Sequence, residues 1–362
     1  MPAPHPLLDP PAFPVDRYAV LADRLQALFA TNSDMIFVQA EAILALEAAA
    51  SSLGRSGLVA LNIVTSPYGG FFGDWLRRSG AEVHEVRAEA GRPVTVAAVE
   101  AALAALPRLD LVAIVHAETS SGILNPLPQI AAAVKARGAL LVVDAVASAG
   151  GHPLDIDGWG IDLCVIGPQK ALGGPTALSA VAVSPRAWAA MNPPAAYPSL
   201  LSLADIKRNW LDTGRGQPAG MPSALEFWAL DAALDRLEAE GLPQVIARHE
   251  QARHATHAGL IALGAQPWVA DERSASTMQT AAPIPSGIEA AALIAAARSF
   301  GVTLTPGFGE VRDRLVRLDH TGSRARFDAV LANVVAYGQA LQALGVRVDV
   351  GAGAAAVAKA YA

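Results

Sequence analysis

The chain has 362 residues, of which 52% are hydrophobic and 17% are charged. This length allows two domains with sizeable cores, and the composition excludes a disordered chain. The formal net charge of −6 gives no reason to expect nucleic acid or an anionic membrane as a partner. The single cysteine, Cys164, excludes an intramolecular disulfide bond and favours a reducing, cytoplasmic location. We expect no membrane association, because the apolar segments stop short of the roughly 18 residues of a membrane span and Met1–Pro6 is not typical of a signal peptide.

The first half of the chain predicts helices and strands in alternation. In chain order we expect a helix at 17–30, a strand at 36–38, a helix at 42–53, a strand at 58–64, a helix at 71–78, a strand at 83–86, a helix at 94–106, a strand at 109–116, a helix at 130–137, and strands at 139–144 and 163–166. The strands are almost continuously apolar, which is typical of a mainly parallel sheet covered by helices on both faces. The fold class is therefore α/β.

The second half predicts a smaller unit after a looser, proline-rich stretch at 184–222. A helix is expected at 223–240, followed by a helix at 244–263, a strand at 277–281, a helix at 289–300, a strand at 315–318 and a helix at 324–344. The Ala/Gly-rich tail at 350–362 predicts a loosely held helix. We place a domain change at 241–243, which gives an N-terminal segment at 1–16, a large domain at 17–242 and a small α+β domain at 243–362.

Several chemically useful side chains follow apolar runs directly. They are Tyr68, Glu118, Thr119, Asp144 and Lys170. Since ligands bind at the carboxyl ends of strands in parallel sheets, these side chains can converge on one crevice. A lysine amine and a carboxylate delivered in this way suit pyridoxal chemistry, in which the amine forms a Schiff base and the acid keeps the pyridine nitrogen protonated. On spacing alone, a turn-capping aspartate and a solvated lysine are an equally good interpretation.

Longer matching segments decide between these interpretations. They are Ala113–Gly122 with Asn125-Pro126, Val142–Ser148, Gly160–Gly174 and, more loosely, Arg317–Gly322. With them the chain resembles the class V aminotransferases, a branch of the fold-type I pyridoxal-phosphate enzymes, from about residue 9 to residue 345. The resemblance implies a large domain with a mainly parallel, seven-stranded type of sheet. It also implies a homodimer or homotetramer in which the subunit interface completes the site.

The resemblance implies a role for each matched side chain. Lys170 would carry the Schiff base and move the proton, and Asp144 would pair with the pyridine N–H. Tyr68 would stack on the pyridine ring, and Thr119 would bond near its 3-hydroxyl group. Arg317 would grip the substrate carboxylate with its planar fork. A turn aromatic, a helix cap and a surface arginine are the corresponding structural interpretations of Tyr68, Thr119 and Arg317.

The expected phosphate site is where the sequence departs from this family. Most relatives seat the phosphate on the N-terminus of the helix after the first strand, with small and hydroxyl residues. Here Glu41 occupies that place, and a carboxylate repels a phosphate within about 4–6 Å. The Thr-Pro step that relatives contribute from the neighbouring subunit corresponds to Met221-Pro222, which has no hydroxyl. Gln169 and Ser148 are the remaining polar residues that the resemblance assigns to cofactor binding.

One branch of the family has the same kind of acid and uses vitamin B6 without phosphate as a substrate. Its members resemble this chain over 41–52, at Tyr68-Gly69 and at Arg317. This implies transfer of the amino group of pyridoxamine to a small 2-oxo acid, pyruvate, giving pyridoxal and L-alanine, with Glu41 also contacting the substrate. Two departures affect the comparison. Phe308 stands where that branch has an arginine, and the match to the relatives starts after their Thr-x-Gly-Pro lid segment, at Leu7–Pro10, so we expect substrate closure to be arranged differently or lost.

Other interpretations remain open from the sequence. Glu41 can be an acid that only stabilises a helix N-terminus. The protein can be a pyridoxal-phosphate-dependent alanine or serine–glyoxylate aminotransferase, or a non-catalytic vitamin B6-binding protein. A lyase of the cysteine-desulfurase type would need a mobile cysteine, whereas Cys164 lies in an apolar strand. We expect no metal site, because the histidines at 249, 254 and 257 do not share one helix face.

Overall fold

A computed structural model describes residues 10–194 and 199–362 of the chain. The start at Leu7–Asp9 and the segment at 195–198 lie outside the described residues. The structure contains twelve α-helices within the described part: α1 Arg17–Leu28, α2 Ala42–Leu53, α3 Pro67–Arg78, α4 Val96–Ala105, α5 Leu127–Arg137, α6 Pro185–Ala190, α7 Leu203–Ile206, α8 Ala224–Glu240, α9 Leu242–Leu263, α10 Ala290–Arg298, α11 Phe327–Ala343 and α12 Val350–Tyr361. None of these helices is long and apolar enough to cross a membrane.

The main sheet has seven strands: β1 Asp34–Val38, β2 Val59–Val64, β3 Glu82–Arg87, β4 Leu111–Val115, β5 Leu140–Asp144, β6 Leu163–Ile166 and β7 Ser179–Val183. Their order is β1-β7-β6-β5-β4-β2-β3, and neighbours from β3 to β6 pair in parallel. Only β7 runs against the others, because it is antiparallel to both β6 and β1. The predicted α/β fold with a mainly parallel sheet is confirmed, although the sequence analysis did not identify β7.

A second, smaller sheet follows in the C-terminal part. It contains β8 Gln279–Pro283, β9 Thr305–Pro306 and β10 Leu315–Asp319, all antiparallel, in the order β8-β10-β9. The buried apolar residues form two large clusters: one runs from Phe13 to Val245 around the seven-stranded sheet, and the other from Ala252 to Val357 around the small sheet. The turn between α8 and α9 is made at Gly241, whose φ of +84° favours glycine.

The tail is a helix, as expected, but it is closely packed. Gly259 on α9 and Gly353 on α12 allow the two helices to meet, since a Cβ on Gly353 would lie 3.2 Å from the carbonyl oxygen of Gly259. Val357 on the same face of α12 is fully buried. The expectation of a loosely held helix is therefore wrong, because small residues permit close approach and apolar burial follows.

The start of α3 lies four residues before the predicted start at Phe71. Ser66 caps the helix, with its hydroxyl accepting a hydrogen bond from the Tyr68 backbone N–H, and Pro67 takes the first helical position. Ser followed by Pro is a strong helix-start signal. As a result Tyr68 lies on the first turn of a helix, at the carboxyl end of β2, and its position is fixed by that cap.

Candidate active site

A cavity of about 360 Å³ opens at the carboxyl ends of the parallel strands. It brings together five of the side chains predicted to act in the site: Glu41, Tyr68, Thr119, Asp144 and Lys170. Its floor and walls also include Ala42, Ile43 and Leu46 from α2, Phe71 from α3, and Val115, Ala117 and Glu118 from the end of β4. The Asp144 carboxylate and the Lys170 amine therefore line the same, largely apolar cavity.

Asp144 ends β5, where strand pairing places it opposite Val165 of β6. Its Oδ1 accepts a hydrogen bond of 2.9 Å from the Val146 backbone N–H. Burial raises the pKa of Asp144 to about 6, and the negative charge of Glu41 adds to this effect while Lys170 opposes it. A carboxylate in this situation gains from a cationic donor, so it fits the protonated nitrogen of a pyridine ring.

Lys170 follows β6 and lines the same cavity. Its amine has no ion-pair partner within residues 10–194 and 199–362. Burial lowers the pKa of Lys170 below its usual range; the negative charge of Asp319 opposes this, and the positive charge of Arg317 adds to it. A lysine of lowered pKa holds more of the neutral amine near neutral pH, which is the form that attacks a carbonyl or accepts a proton.

Glu41 lies at the N-terminus of α2 and faces the cavity. Its Oε2 accepts a hydrogen bond of 2.8 Å from the Ile43 backbone N–H, so the carboxylate caps the helix. Its Oε1 accepts a second bond of 2.8 Å from Nε2 of Gln169. The Ile43 N–H and the Gln169 amide, two donors that an anion would use at this helix end, are thus already bonded to a carboxylate. The phosphate of a phosphorylated cofactor does not fit this arrangement.

Arg317 approaches the edge of the cavity from β10. Its Nη1 donates a hydrogen bond of 2.9 Å to the carbonyl oxygen of Thr119, and its Nε donates one of 2.8 Å to that of Pro306. These two bonds fix the plane of the guanidinium. Nη2 takes part in neither bond and can donate to a substrate carboxylate. Burial raises the pKa of Tyr68 above its ordinary value, and the positive charge of Arg317 opposes this rise.

Three predicted site residues, Ser148, Gln169 and Arg317, do not line the cavity. Gln169 and Arg317 reach its edge through their bonds to Glu41 and to the carbonyl oxygen of Thr119. Ser148 is fully buried, and its hydroxyl donates a bond of 3.4 Å to the carbonyl oxygen of Ala145 in its own turn. Met221 is 96% exposed. The loop before it reaches the start of α2, because Nε2 of Gln39 donates a 2.9 Å bond to the carbonyl oxygen of Ala219.

Glu118 is a cavity residue to which the sequence analysis gave no role. It is fully buried, and its Oε1 accepts a bond of 2.5 Å from the hydroxyl of Thr65, which in turn accepts from Nδ2 of Asn125 at 2.9 Å. Its Oε2 has no hydrogen-bond partner among the described residues. Burial raises the pKa of Glu118 to about 7, and the charge of Asp144 adds to that rise. Its position directly after the apolar run of β4, beside Thr119, is the sequence feature from which a role in the site could have been predicted.

The comparisons with known proteins concern most of the chain. The family model for aminotransferase class V matches residues 22–303. The chain is 37% identical over 350 residues to the pyridoxamine–pyruvate transaminase of Mesorhizobium japonicum, covering 95% of this chain and 87% of that protein. It is 28% identical to the alanine–glyoxylate aminotransferase of Drosophila melanogaster, covering 84% of this chain and 79% of that one.

A solved structure agrees with these matches. The pyridoxamine-pyruvate aminotransferase from Mesorhizobium loti superposes with a TM-score of 0.90 and 36% identity, covering 95% of this chain and 88% of that one. All residues that line the cavity, from Glu41 to Lys170, fall within the segment matched by the family model.

Proposed function

The chain belongs to the class V aminotransferases, and on this premise we propose that it transfers the amino group of pyridoxamine to pyruvate, giving pyridoxal and L-alanine. The enzyme is an aminotransferase; the proposal concerns its substrates. Members of the family use pyridoxal phosphate. In this chain, we propose, vitamin B6 without phosphate enters and leaves as a substrate, and no cofactor stays tightly bound.

The position of Glu41 carries the proposal. Its carboxylate caps α2 at the end where a phosphate would be seated, and it accepts from both the Ile43 N–H and Gln169. A phosphate brought to this place would meet a negative charge and would have to displace both bonds. A charge-assisted hydrogen bond is worth roughly 1.5–3 kcal/mol, so the loss of two disfavours a phosphorylated ligand by orders of magnitude. A neutral hydroxymethyl group, in contrast, can donate to Glu41.

The other cavity residues suit the ring and its amino group. When bound, the pyridine ring would supply an electron sink for the bond changes at the carbon that bears the amino group. Asp144 would hold the proton on the ring nitrogen. The positive charge of that protonated nitrogen would favour the ionised form of the Asp144 carboxyl, which this role needs. Tyr68, anchored on the first turn of α3, would cover one face of the ring.

Lys170 would act as the amine and as the proton carrier. Its lowered pKa supports both roles, since the neutral amine can accept the proton from one carbon and return it to another. Arg317 would orient the 2-oxo acid through Nη2, with its plane held by the Thr119 and Pro306 carbonyl oxygens. The vitamin B6 ring and the 2-oxo acid would then be held next to each other in the cavity.

A half-reaction assay on one preparation tests the proposal. The protein is desalted, and pyridoxamine or its phosphate is then mixed with pyruvate while pyridoxal and L-alanine are measured. We expect a protein that loses its yellow colour on desalting and forms alanine with pyridoxamine. A yellow protein that keeps pyridoxal phosphate and prefers the phosphorylated amine would instead identify a phosphate-dependent alanine or serine–glyoxylate type of aminotransferase. Binding of pyridoxal without any alanine would identify a vitamin B6-binding protein.

A lyase of the cysteine-desulfurase type has no support. Cys164 is the only cysteine of the chain and is fully buried within β6. Burial also raises the pKa of its thiol, so the reactive thiolate is disfavoured.

We further propose that the enzyme is a homodimer, or a homotetramer built from dimers, in the cytoplasm. Three apolar side chains are exposed to solvent in the single chain and would be covered by a second copy. Leu44, near the start of α2, is 42% exposed, and Leu200 and Met221, in the loops before α7 and α8, are 77% and 96% exposed. The acidic net charge gives no support for nucleic acid or a membrane as partner. Light scattering on the purified protein tests this proposal, and a monomer at micromolar concentration would contradict it.

A further inference from the structure

The loop Gly307–Gly309 places Phe308 beside the cavity. A Cβ on Gly307 would lie 2.3 Å from the carbonyl oxygen of Val311, and one on Gly309, whose φ is +63°, would lie 2.3 Å from Cγ of Pro67. The Gly307 N–H also donates a 3.0 Å bond to the carbonyl oxygen of Leu315. Glycine on both sides of Phe308 is therefore required by close contacts with the chain, and the loop is held in one conformation.

The ring of Phe308 packs against the aromatic residues of α3. Its centroid lies 5.3 Å from that of Tyr68, with a tilt of 32° between the planes, and 6.3 Å from that of Phe71. Phe308 is still 39% exposed and Phe71 is 37% exposed. Such a cluster is stabilised by apolar and quadrupole interactions between the rings. The exposed part of the Phe308 ring can still contact a ligand.

A second cavity of about 360 Å³ lies on the other side of this aromatic cluster. Phe71 lines both cavities, and Phe308 lines the second one together with Val64, Ile123 and Val311. The charged side chains along the second cavity are Asp74, Arg87 and Glu310. Arg87 forms an ion pair of 2.7 Å with Glu85, and Asp74 forms one of 2.8 Å with Arg77. Among the described residues, Glu310 is therefore the charged group of this cavity without an ion-pair partner, and its charge is negative.

We propose that Phe308 sets the specificity for the amino acceptor, so that the site takes 2-oxo acids with one carboxylate and an apolar side chain. This inference rests on the proposed function, because it concerns the second substrate of the same reaction. Arg317 binds the carboxylate next to the keto group. The side chain of the acceptor then lies against Tyr68, Phe71 and Phe308, at the opening to the second cavity.

Two physical effects give the selection. An apolar side chain loses contact with water against three aromatic rings, which favours it by up to about tenfold per methylene group. A second carboxylate would lie against an aromatic face and near Glu310. Arg87, the cation that lines the second cavity, is already paired with Glu85, so dicarboxylic 2-oxo acids are rejected.

The test is a comparison of kcat/KM for pyruvate, 2-oxobutanoate, 4-methyl-2-oxopentanoate and oxaloacetate, with pyridoxamine as the donor. We expect the wild-type enzyme to use 4-methyl-2-oxopentanoate at least about tenfold better than oxaloacetate. Phe308→Ala should lower kcat/KM for 4-methyl-2-oxopentanoate about tenfold and change that for pyruvate by less than about threefold. Phe308→Arg should raise kcat/KM for oxaloacetate at least about tenfold. Phe308→Leu, which preserves an apolar wall, should keep the wild-type order.

The matched control is Phe300→Ala, which removes a phenylalanine of similar exposure, 44%, from outside both cavities. It should leave the ratios between acceptors unchanged. The inference is overturned if Phe308→Ala lowers all acceptors equally, or if Phe308→Arg leaves the oxaloacetate ratio unchanged. If no acceptor yields pyridoxal, the proposed function fails. The three acceptors other than pyruvate are then compared with L-alanine as the donor and pyridoxal phosphate added, which still tests Phe308.

Discussion

Nε2 of Gln169 donates a hydrogen bond of 2.8 Å to Oε1 of Glu41, which joins the neighbour of the cavity lysine to the acid that caps α2. The two residues are 128 positions apart in the chain. The bond uses the donor that a phosphate would need, and it holds the carboxylate toward the cavity. The ligand preference of the site thus depends on a pair of residues.

Glu41→Ser should shift that preference toward phosphorylated vitamin B6. Serine can still cap the helix, so the fold should be preserved, while the negative charge is removed and the Gln169 amide is released. We expect the ratio of Kd for pyridoxal phosphate to Kd for pyridoxal to fall by at least about tenfold, which corresponds to about 1.4 kcal/mol. Absorbance titrations with the two aldehydes measure this ratio. Glu41→Gln is the matched control for size, and an unchanged ratio in both variants would identify Glu41 as a helix cap only.

Lys170→Ala should abolish amino transfer. The loss of both the nucleophilic amine and the proton carrier should lower the rate of alanine formation by at least about 10³-fold. Binding of pyridoxamine, measured by equilibrium dialysis, should persist because Asp144 and Tyr68 remain. Lys135→Ala on α5 serves as the control for loss of a lysine. Activity within about tenfold of wild type would contradict the assignment of Lys170.

Glu118→Gln should change stability in a pH-dependent way. The pKa of Glu118 is raised to about 7 in the folded protein from an ordinary value of 4.5. The folded state therefore holds a proton that the unfolded state has lost, and the free energy of unfolding falls as the pH rises from about 4.5 to about 7. Removing the acid should increase the free energy of unfolding by about 2–3 kcal/mol more at pH 8.5 than at pH 5.

Urea denaturation at the two pH values measures this difference. Glu100→Gln, the same change at an exposed position of α4, should show no such dependence on pH. An equal effect of Glu118→Gln at both pH values would mean that the buried carboxyl is not protonated near neutral pH.

Gly259→Ala should destabilise the protein despite the higher helix propensity of alanine. The new Cβ would lie 2.7 Å from Cγ2 of Val357 and 3.0 Å from Cγ1 of Val334, so α9 and α12 would have to separate. We expect a loss of about 1–3 kcal/mol in the free energy of unfolding, measured by urea denaturation. Gly351→Ala, on the exposed side of α12, is the matched control and should be neutral or stabilise by up to about 1 kcal/mol. Equal effects of the two changes would show that the helix contact is loose.

The local parts of the fold could be predicted because their signals are local. The helix at 42–53 was predicted with the bounds that the structure has, since its alanine-rich run begins after an acid and ends before Gly54. The strand β7 was missed. Its sequence, Ser179–Val183, is short and mostly small, and its antiparallel pairing with β1 depends on a register across more than 140 residues that no local pattern records.

The site, too, has parts that follow from local sequence patterns and parts that depend on contacts between distant segments. Tyr68, Asp144 and Lys170 follow apolar runs, and the rule that strand ends meet at one edge was enough to place them together. The bond of Arg317 to the Thr119 carbonyl oxygen, and the packing of Phe308 on Tyr68, connect the part around the small sheet to the part around the large one. Those contacts depend on how the two parts pack against each other, and the sequence contains no periodic signal for them.

The burial of Cys164 has a practical consequence for studying this enzyme. A chain whose only thiol lies inside a central strand offers thiol-reactive dyes no site in the native state. A cysteine introduced at an exposed position, such as Phe308, would be labelled alone. A spectroscopic reporter can thus be attached beside the cavity without first replacing the native cysteine.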